Sequence, residues 1–435
     1  MEAPVIGVLV LIGMFGLIAL HVPIGAAMAL CGFIGTGLII GWQPAIAVFG
    51  IEPAQALASE ELAVIAMFLL MGNFAATAGL SSDLYRLAQA FVGHRRGGLA
   101  IATIAGCAGF GAVCGSSVAT VGTMARIAMP EMEKRGYAKS VSSGSIASGA
   151  TLGIIVPPSV ILVLYAILTE QFITALFVAA VIPAVLATVG YIVAIIVYVW
   201  RNPDSAPAGE RASHVERRKA LLNSWGVAVL VLVVSGGIYS GFFTVNEAAA
   251  VGAAVAVAFA FFRGRLNRAT FFANLAETAS STALIYLIII GANVFTYCMT
   301  LSQLPDLLIG AISSSGLPDI VVILLLLAAY VVLGSIFDTV AAMVVTLPFV
   351  FPLVTSMGYD PIWWGVINVI VIELGMITPP FGINVFVMQG MAKDVSLGAV
   401  YRGVMPFVIA DIVRLLILTL IPTLILWLPK AAGLM

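Results

Sequence analysis

A chain of 435 residues that is 62% hydrophobic and 9% charged, with a mean hydropathy of +1.16, is built for a bilayer rather than for water. Its formal net charge of -1 says nothing about partners, and no basic patch with interleaved aromatics suggests nucleic acid as one. Many runs reach the roughly 20 apolar residues needed to cross a lipid bilayer.

The chain opens on apolar spans at 4–20 and 22–41. No basic region precedes the first, so it reads as a retained membrane helix rather than a cleaved signal. With a third span at 62–80 they form a first scaffold portion, 1–80. Residues 81–96 place Leu84, Leu87, Phe91 and Val92 on one helical face and read as an amphipathic arm on the membrane surface, or as an ordinary loop helix. The next apolar stretch, 99–129, is too long for one crossing and too short for two. Its middle is rich in glycine and small polar residues, and basic residues flank both ends: Arg95 and Arg96 before, Lys134, Arg135 and Lys139 after. Both ends therefore belong in the cytoplasm, and the stretch reads as a re-entrant hairpin. A span at 140–169 is interrupted by Pro157-Pro158, and a last span at 172–200 closes the first half.

A polar linker, 201–222, carries Arg201, Arg211, Arg217, Arg218 and Lys219 and is cytoplasmic by the same rule. The second half, 223–435, repeats the first. Spans at 223–243, 246–262 and 280–301 form a scaffold portion (223–301), followed by a weaker amphipathic arm at 303–318. A hairpin at 319–352, a broken helix at 361–391 and a last span at 404–428 complete it. The halves register at one offset: Pro130 falls on Pro352, Gly136-Tyr137 on Gly358-Tyr359, Gly153 on Gly375, Pro157-Pro158 on Pro379-Pro380 and Ser117 on Thr339. Five crossings and one hairpin per half invert the second copy relative to the first. Every lysine and arginine except Arg126, Arg414 and Lys430 then lies inside. The expected fold is an all-α polytopic membrane protein of two inverted repeats.

Paired interruptions at matching positions of two halves point to a secondary-transporter binding site. Two consecutive prolines free carbonyls at bilayer depth. Around the first break these include Gly153 and Val156, with Pro158 beside them and Ser116, Ser117 and Thr120 at the facing hairpin tip. The second break offers Gly375, Thr378, Pro380 and Asn384, facing Asp338 and Thr339. Carbonyls and hydroxyls without histidine or thiol suit a hard cation such as sodium, and Asp338 is the foremost coordination candidate. A purely structural kink is the alternative. Ser116, Ser117, Pro158, Asp338, Pro380 and Asn384 are candidates for the substrate region.

Several polar residues have plainer readings. Glu373 is either functional or the partner of a buried donor. Arg126 pairs with a carboxylate or attracts an anion. Thr244 and Glu247 form a capping box, and Asp411 and Arg414 an intrahelical pair. The four cysteines lie in apolar segments without metal-ligand spacing and read as small packed hydrophobes. There is no P-loop, no H-E-x-x-H and no G-x-S-x-G.

On Gly111–Thr120 with Pro130 and Gly136-Tyr137, Gly153–Ser159, Thr244–Ala250 and Gly375–Asn384, the chain resembles the large membrane subunit (DctM-like) of tripartite ATP-independent periplasmic transporters over essentially its whole length. The resemblance implies an elevator importer in the bacterial inner membrane, with sodium ions as transported coupling ions and no organic cofactor. It implies two partners, a small four-helix membrane subunit and a periplasmic binding protein that delivers a small organic acid. The same arithmetic fits a stand-alone sodium–carboxylate symporter. A channel is a third reading. An intramembrane hydrolase using Ser116 or Ser117 would lack a base, since no histidine or lysine lies at membrane depth.

Overall fold

The structure, a computed structural model, describes residues 2–435, and these form helices and turns without a strand. Seven helices are each long and apolar enough to cross a membrane, and bent pairs raise that to nine. Polar caps set where many of them begin. Ser59, Ser116, Ser159, Asp338 and Asp360 each accept a hydrogen bond from a backbone N–H one turn inside the following helix. Thr244 and Glu247 form the expected reciprocal capping box at the start of Val245–Phe262.

Helices Ala3–Ala19, Ile24–Ile40, Glu60–Thr77, Val245–Phe262 and Arg268–Ser302 pack together as one body. Ile24–Ile40 crosses Arg268–Ser302 backbone to backbone: a Cβ on Gly291 would lie 2.1 Å from the Gly25 carbonyl oxygen. Small residues permit such approaches where lipid-like surroundings provide no hydrophobic drive. A polar staple joins the same body. Asn73 Nδ2 donates to Thr278 Oγ1 at 2.9 Å, and Asn274 Nδ2 donates to Thr77 Oγ1 at 2.8 Å.

The arm residues form helix Leu80–Val92, tied down by an ion pair between Asp83 and Arg263. Arg263 also donates to the carbonyls of Ala78 and Asn223 at 3.1 Å each. Leu304–Ser314 is the second arm. Each hairpin resolves into two helices: Gly98–Cys114 with Ser117–Lys134, and Asp319–Ile336 with Thr339–Ser356. Both second arms end in a left-handed glycine, Gly136 (φ 72°) and Gly358 (φ 81°), where a side chain would be strained. The chain reverses there into the broken helices.

Three boundaries differ from expectation. Helix Trp42–Ala58 lies in a stretch read as a connection, because Gln43, Pro44, Glu52, Pro53 and Gln55 interrupt its apolar run. Its ring Trp42 nonetheless packs 5.9 Å from Phe33. The span expected at 280–301 begins at Arg268, since its polar first turns belong to the staple. The span expected at 404–428 is two helices, Leu397–Leu420 and Thr423–Ala431, separated at Pro422. The four cysteines are free and buried.

Candidate functional site

The first hairpin turns at Gly115-Ser116. Gly115 is left-handed (φ 63°), and the Ser116 hydroxyl caps the second arm by accepting from Ala119 N at 3.4 Å. The Ser116 carbonyl accepts from Thr120 Oγ1 at 2.7 Å, so the two form one oxygen-rich corner. The second hairpin turns at Phe337-Asp338. Here the Asp338 carboxylate caps the second arm, accepting from Ala341 N at 2.8 Å through Oδ1. Asp338 is solvent-accessible at this tip, whereas the next residue, Thr339, is buried.

The facing helices break as the sequence demands. The first runs Lys139–Gly149, then Leu152–Ile155, then Val160–Thr169 beyond the prolines. Pro157 and Pro158 deny N–H donors to the carbonyls of Gly153 and Ile154, one helical turn back. The second runs Pro361–Met376 and resumes at Ile383–Met391. Both Pro-Pro bonds are cis.

Each hairpin's first arm touches its broken helix backbone to backbone. A Cβ on Gly111 would sit 2.4 Å from Gly153 Cα, and a Cβ on Gly375 would sit 2.6 Å from the Gly334 carbonyl carbon. In the first half this sets Gly153 beside the hydroxyl of Thr120 and the carbonyl of Ser116. In the second half, Gly382 N donates to the Ser335 carbonyl at 3.0 Å and so locks the break onto the hairpin tip.

The two hairpin tips meet at one place. Ser117 Oγ donates to Asn384 Oδ1 at 3.2 Å and lies 3.6 Å from Met376 Sδ. Thr339 Oγ1 lies 3.0 Å from the same sulfur. Asn384 Nδ2 donates to the Ala147 carbonyl at 3.3 Å, so this one amide joins both broken helices and the first hairpin tip. The hydroxyls, carbonyls and amide gathered here are oxygen donors of the kind hard cations accept, while the Asp338 carboxylate at the tip bonds the start of its own helix. Among the described residues no group of three His, Cys, Asp or Glu side chains is placed to hold a metal.

Other expected residues sit less centrally. Pro158 is buried within the first break, and Val156 is half-buried next to it. The Thr378 hydroxyl donates back to the Leu374 carbonyl at 2.5 Å. Pro380 is exposed, and its carbonyl accepts from Tyr401 Oη at 2.8 Å rather than facing a hairpin tip. Glu373 is a buried partner of Arg414 at 4.0 Å, and Asp411 pairs with Arg414 at 3.0 Å. Two residues at the second break were not among the expected set. Met376 reads as ordinary apolar filling in the sequence, and its position directly after Gly375 was the only cue. Tyr401 lies in a different helix, with no pattern linking it to the prolines.

Arg126 differs from the carboxylate pairing expected of it: no carboxylate oxygen lies within 4.0 Å among the described residues. It lines a cleft of about 430 Å³ between the first hairpin's second arm and the scaffold, together with Thr123, Asn73, Arg265 and Glu277. A cleft of about 520 Å³ separates the second hairpin from the scaffold in the same manner, between Val344, Pro348 and Phe351 on one side and Glu52, Asn293 and Thr296 on the other. Arg126 and Pro348 are repeat equivalents, so the first cleft carries cationic charge where the second carries a proline ring.

Comparison with known proteins places this architecture. A family model described as "Tripartite ATP-independent periplasmic transporter, DctM component" matches residues 11–424. The chain is 37% identical over 377 residues to the C4-dicarboxylate TRAP transporter large permease protein DctM of Pseudomonas aeruginosa, covering 86% of this chain and 87% of that one. It is 29% identical over 418 residues to the isethionate TRAP transporter permease protein DctMQ of Oleidesulfovibrio alaskensis, covering 94% of this chain and 65% of that one. Among solved structures, the Alcanivorax borkumensis YdaH transporter shares the fold. Its TM-score is 0.61 at 17% identity, and the match covers 88% of this chain and 90% of that one.

Proposed function

Because the chain belongs to the DctM family, the large permease subunits of tripartite ATP-independent periplasmic transporters and multi-pass inner-membrane proteins, we propose that it imports a small organic anion driven by a sodium gradient. The body made of hairpins and broken helices carries the cargo, and the scaffold portions, 1–80 and 223–301, stay fixed. This is an elevator motion between two inverted repeats. The reading rests on one observation above all: the two hairpin tips converge, through Ser117 and Thr339, on Met376 and Asn384 at the second break.

The donor set supports sodium as the coupling ion. Backbone carbonyls around Gly153, Val156, Gly375 and Thr378, the hydroxyls of Ser116, Ser117, Thr120 and Thr339, and the carboxylate of Asp338 are hard oxygen ligands. The two clefts along the second hairpin arms support a moving body, since they leave room between hairpin and scaffold on each side. Arg126 and Arg265 in one of them favour an anionic cargo by charge. The relatives named for C4-dicarboxylate and isethionate both handle small anions with carboxylate or sulfonate groups. A separate small membrane subunit and a periplasmic binding protein complete the transporter, and the apolar exposed faces of 1–41 and 223–262 are where the small subunit packs.

Proteoliposomes containing the chain, its small membrane subunit and its binding protein test this. Uptake of labelled C4-dicarboxylate should require an inward sodium gradient and the binding protein. Equal uptake by the chain alone would replace this reading with a stand-alone symporter. Uptake indifferent to sodium would remove the coupling ion.

A further inference from the structure

Beneath the hairpin tips, a second polar cluster is sealed inside the body. Glu373 on Pro361–Met376 and Asp411 and Arg414 on Leu397–Leu420 are all 5% exposed or less. Arg414 Nη2 is 3.0 Å from Asp411 Oδ1 and 4.0 Å from Glu373 Oε2. Asp411 is held from its other side, where Tyr191 Oη donates to Oδ2 at 2.5 Å. Tyr191 in turn lies 3.0 Å from Thr151 Oγ1, at the first break. The cluster thus runs from one broken helix to the other.

Its charges do not balance. Two carboxylates face one guanidinium, and no other cationic side chain joins them. The remaining polar neighbours are the hydroxyls of Tyr191 and Thr151. Asp411 holds the closer arginine, a 3.0 Å ion pair without hydrogen-bond geometry, and its Oδ2 accepts the tyrosine's hydrogen bond; both favour an ionised carboxylate. Glu373 holds neither: its Oε2 is at the 4.0 Å limit, and its buried Oε1 has no protein hydrogen-bond partner. An ionised carboxylate oxygen with no donor, sealed from water at bilayer depth, is among the costliest arrangements a protein can hold.

We propose that Glu373 is a proton-binding site, neutral at physiological pH, whose proton brings the Glu373–Asp411–Arg414 cluster to zero net charge. The ligand is a single proton taken from solvent onto a Glu373 carboxylate oxygen, with no other bond made or broken. The site is separate from the hairpin tips and does not depend on which ion is coupled there. A sodium ion in its place would need several further oxygen ligands, and the hydroxyls beside the carboxylates, Tyr191 and Thr151, are already bonded to Asp411 and to each other.

Infrared spectroscopy of the full chain in lipid, with Glu373→Gln and Asp411→Asn variants, tests the assignment at neutral pH. The wild type should show the carbonyl stretch of a neutral carboxylic acid, and Glu373→Gln should lose it. Asp411→Asn should lose it too, because Glu373 then ionises to become the counter-ion of Arg414. Each single variant leaves one anion against one cation, so each should unfold near the wild-type temperature. The double variant strands Arg414 and should unfold at a temperature lower than the two single shifts predict together. Identical neutral-acid absorption in wild type and Glu373→Gln would overturn the proposal, as would additive unfolding shifts in the double variant. If one single variant cannot be purified, the spectrum of the other decides.

Discussion

Ser117 and Thr339 occupy equivalent positions in the two halves, and their hydroxyls approach one sulfur, Met376 Sδ, at 3.6 and 3.0 Å. Met376 follows directly on Gly375, which itself touches Gly334 backbone to backbone. Two hairpins approaching from different parts of the fold therefore share one wall, and that wall belongs to the second half alone. The sequence repeat that pairs Ser117 with Thr339 does not extend to that wall, since Met376 falls on Ile154 of the first half.

Asp338 separates ion binding from structure cleanly. Asn is as good a helix cap as Asp, so Asp338→Asn keeps the bond to Ala341 while removing one ligand charge. The expected result is an unchanged unfolding temperature with the sodium concentration for half-maximal uptake raised roughly tenfold, equivalent to about 1.4 kcal/mol. Ser117→Ala should shift it the same way by less. Uptake against sodium, measured beside thermal unfolding, checks both. An unaltered sodium curve for Asp338→Asn would leave the carboxylate as a cap only.

Close backbone contacts make a sharper claim on stability. Gly375→Ala would force a Cβ to 2.6 Å from a backbone carbon, and Gly334→Ala would force one to 2.7 Å from the Ile372 carbonyl oxygen. Neither neighbour can rotate away, so both variants should lose stability by more than the ~1–3 kcal/mol usual for overpacking. Gly390→Ala, with nothing within 4 Å, is the control and should be neutral or slightly stabilising. Thermal unfolding of the three variants in detergent ranks them. Equal unfolding temperatures would mean that the broken helices are not packed as described.

Sidedness can be read with thiol labels because the native cysteines are buried. A cysteine at Ala212 should react with an impermeant maleimide only from the cytoplasm. One at Ser314, on the exposed end of the second arm, should react only from outside. Labelling of both from one side would contradict the inversion of the second half.

The capping box at Ser213–Glu216, in the linker outside the spans, gives a pH signature. Backbone and hydroxyl hydrogen bonds from Ser213 hold the Glu216 carboxyl below its ordinary range. A depressed folded-state value means that the stabilisation is complete above the ordinary glutamate value and is lost as pH falls through the lower one. Amide exchange at residues 214–217 should therefore show less protection than the later turns of helix His214–Asn223 once pH drops below that range. Glu216→Gln should abolish the difference.

Much of this architecture could be read from residue order, and the reason is physical. Hairpins and broken helices need glycine and proline at set points, and lipid forbids exposed backbone elsewhere. That is why Gly153, Gly375, the two proline pairs and Asp338 were legible. The surroundings of the second break were less so. Met376 and Tyr401 are ordinary membrane residues by type, and only three-dimensional proximity gives them a role. Trp42–Ala58 escaped because its polar residues and prolines mimic a connection, although the helix packs its aromatic face on Phe33. Arg126 was expected to find a carboxylate, since charge inside a membrane usually must; the cleft beside it removes that need.

Arg268–Ser302 has 35 residues, which at 1.5 Å each makes a rod of roughly 52 Å. The hydrocarbon layer is about 30 Å thick, and even a steep tilt of ~40° would leave about two turns over. The surplus falls at the amino-terminal end, where Arg268, Asn274 and Glu277 lie, and these turns line the cleft that holds Arg126 and Arg265. That cleft therefore opens at the level of the lipid headgroups, where water and counter-ions reach it. Its charges are hydrated rather than stranded in oil. A bilayer with longer acyl chains would draw this rim into the hydrocarbon, so the transporter's rate should depend on membrane thickness.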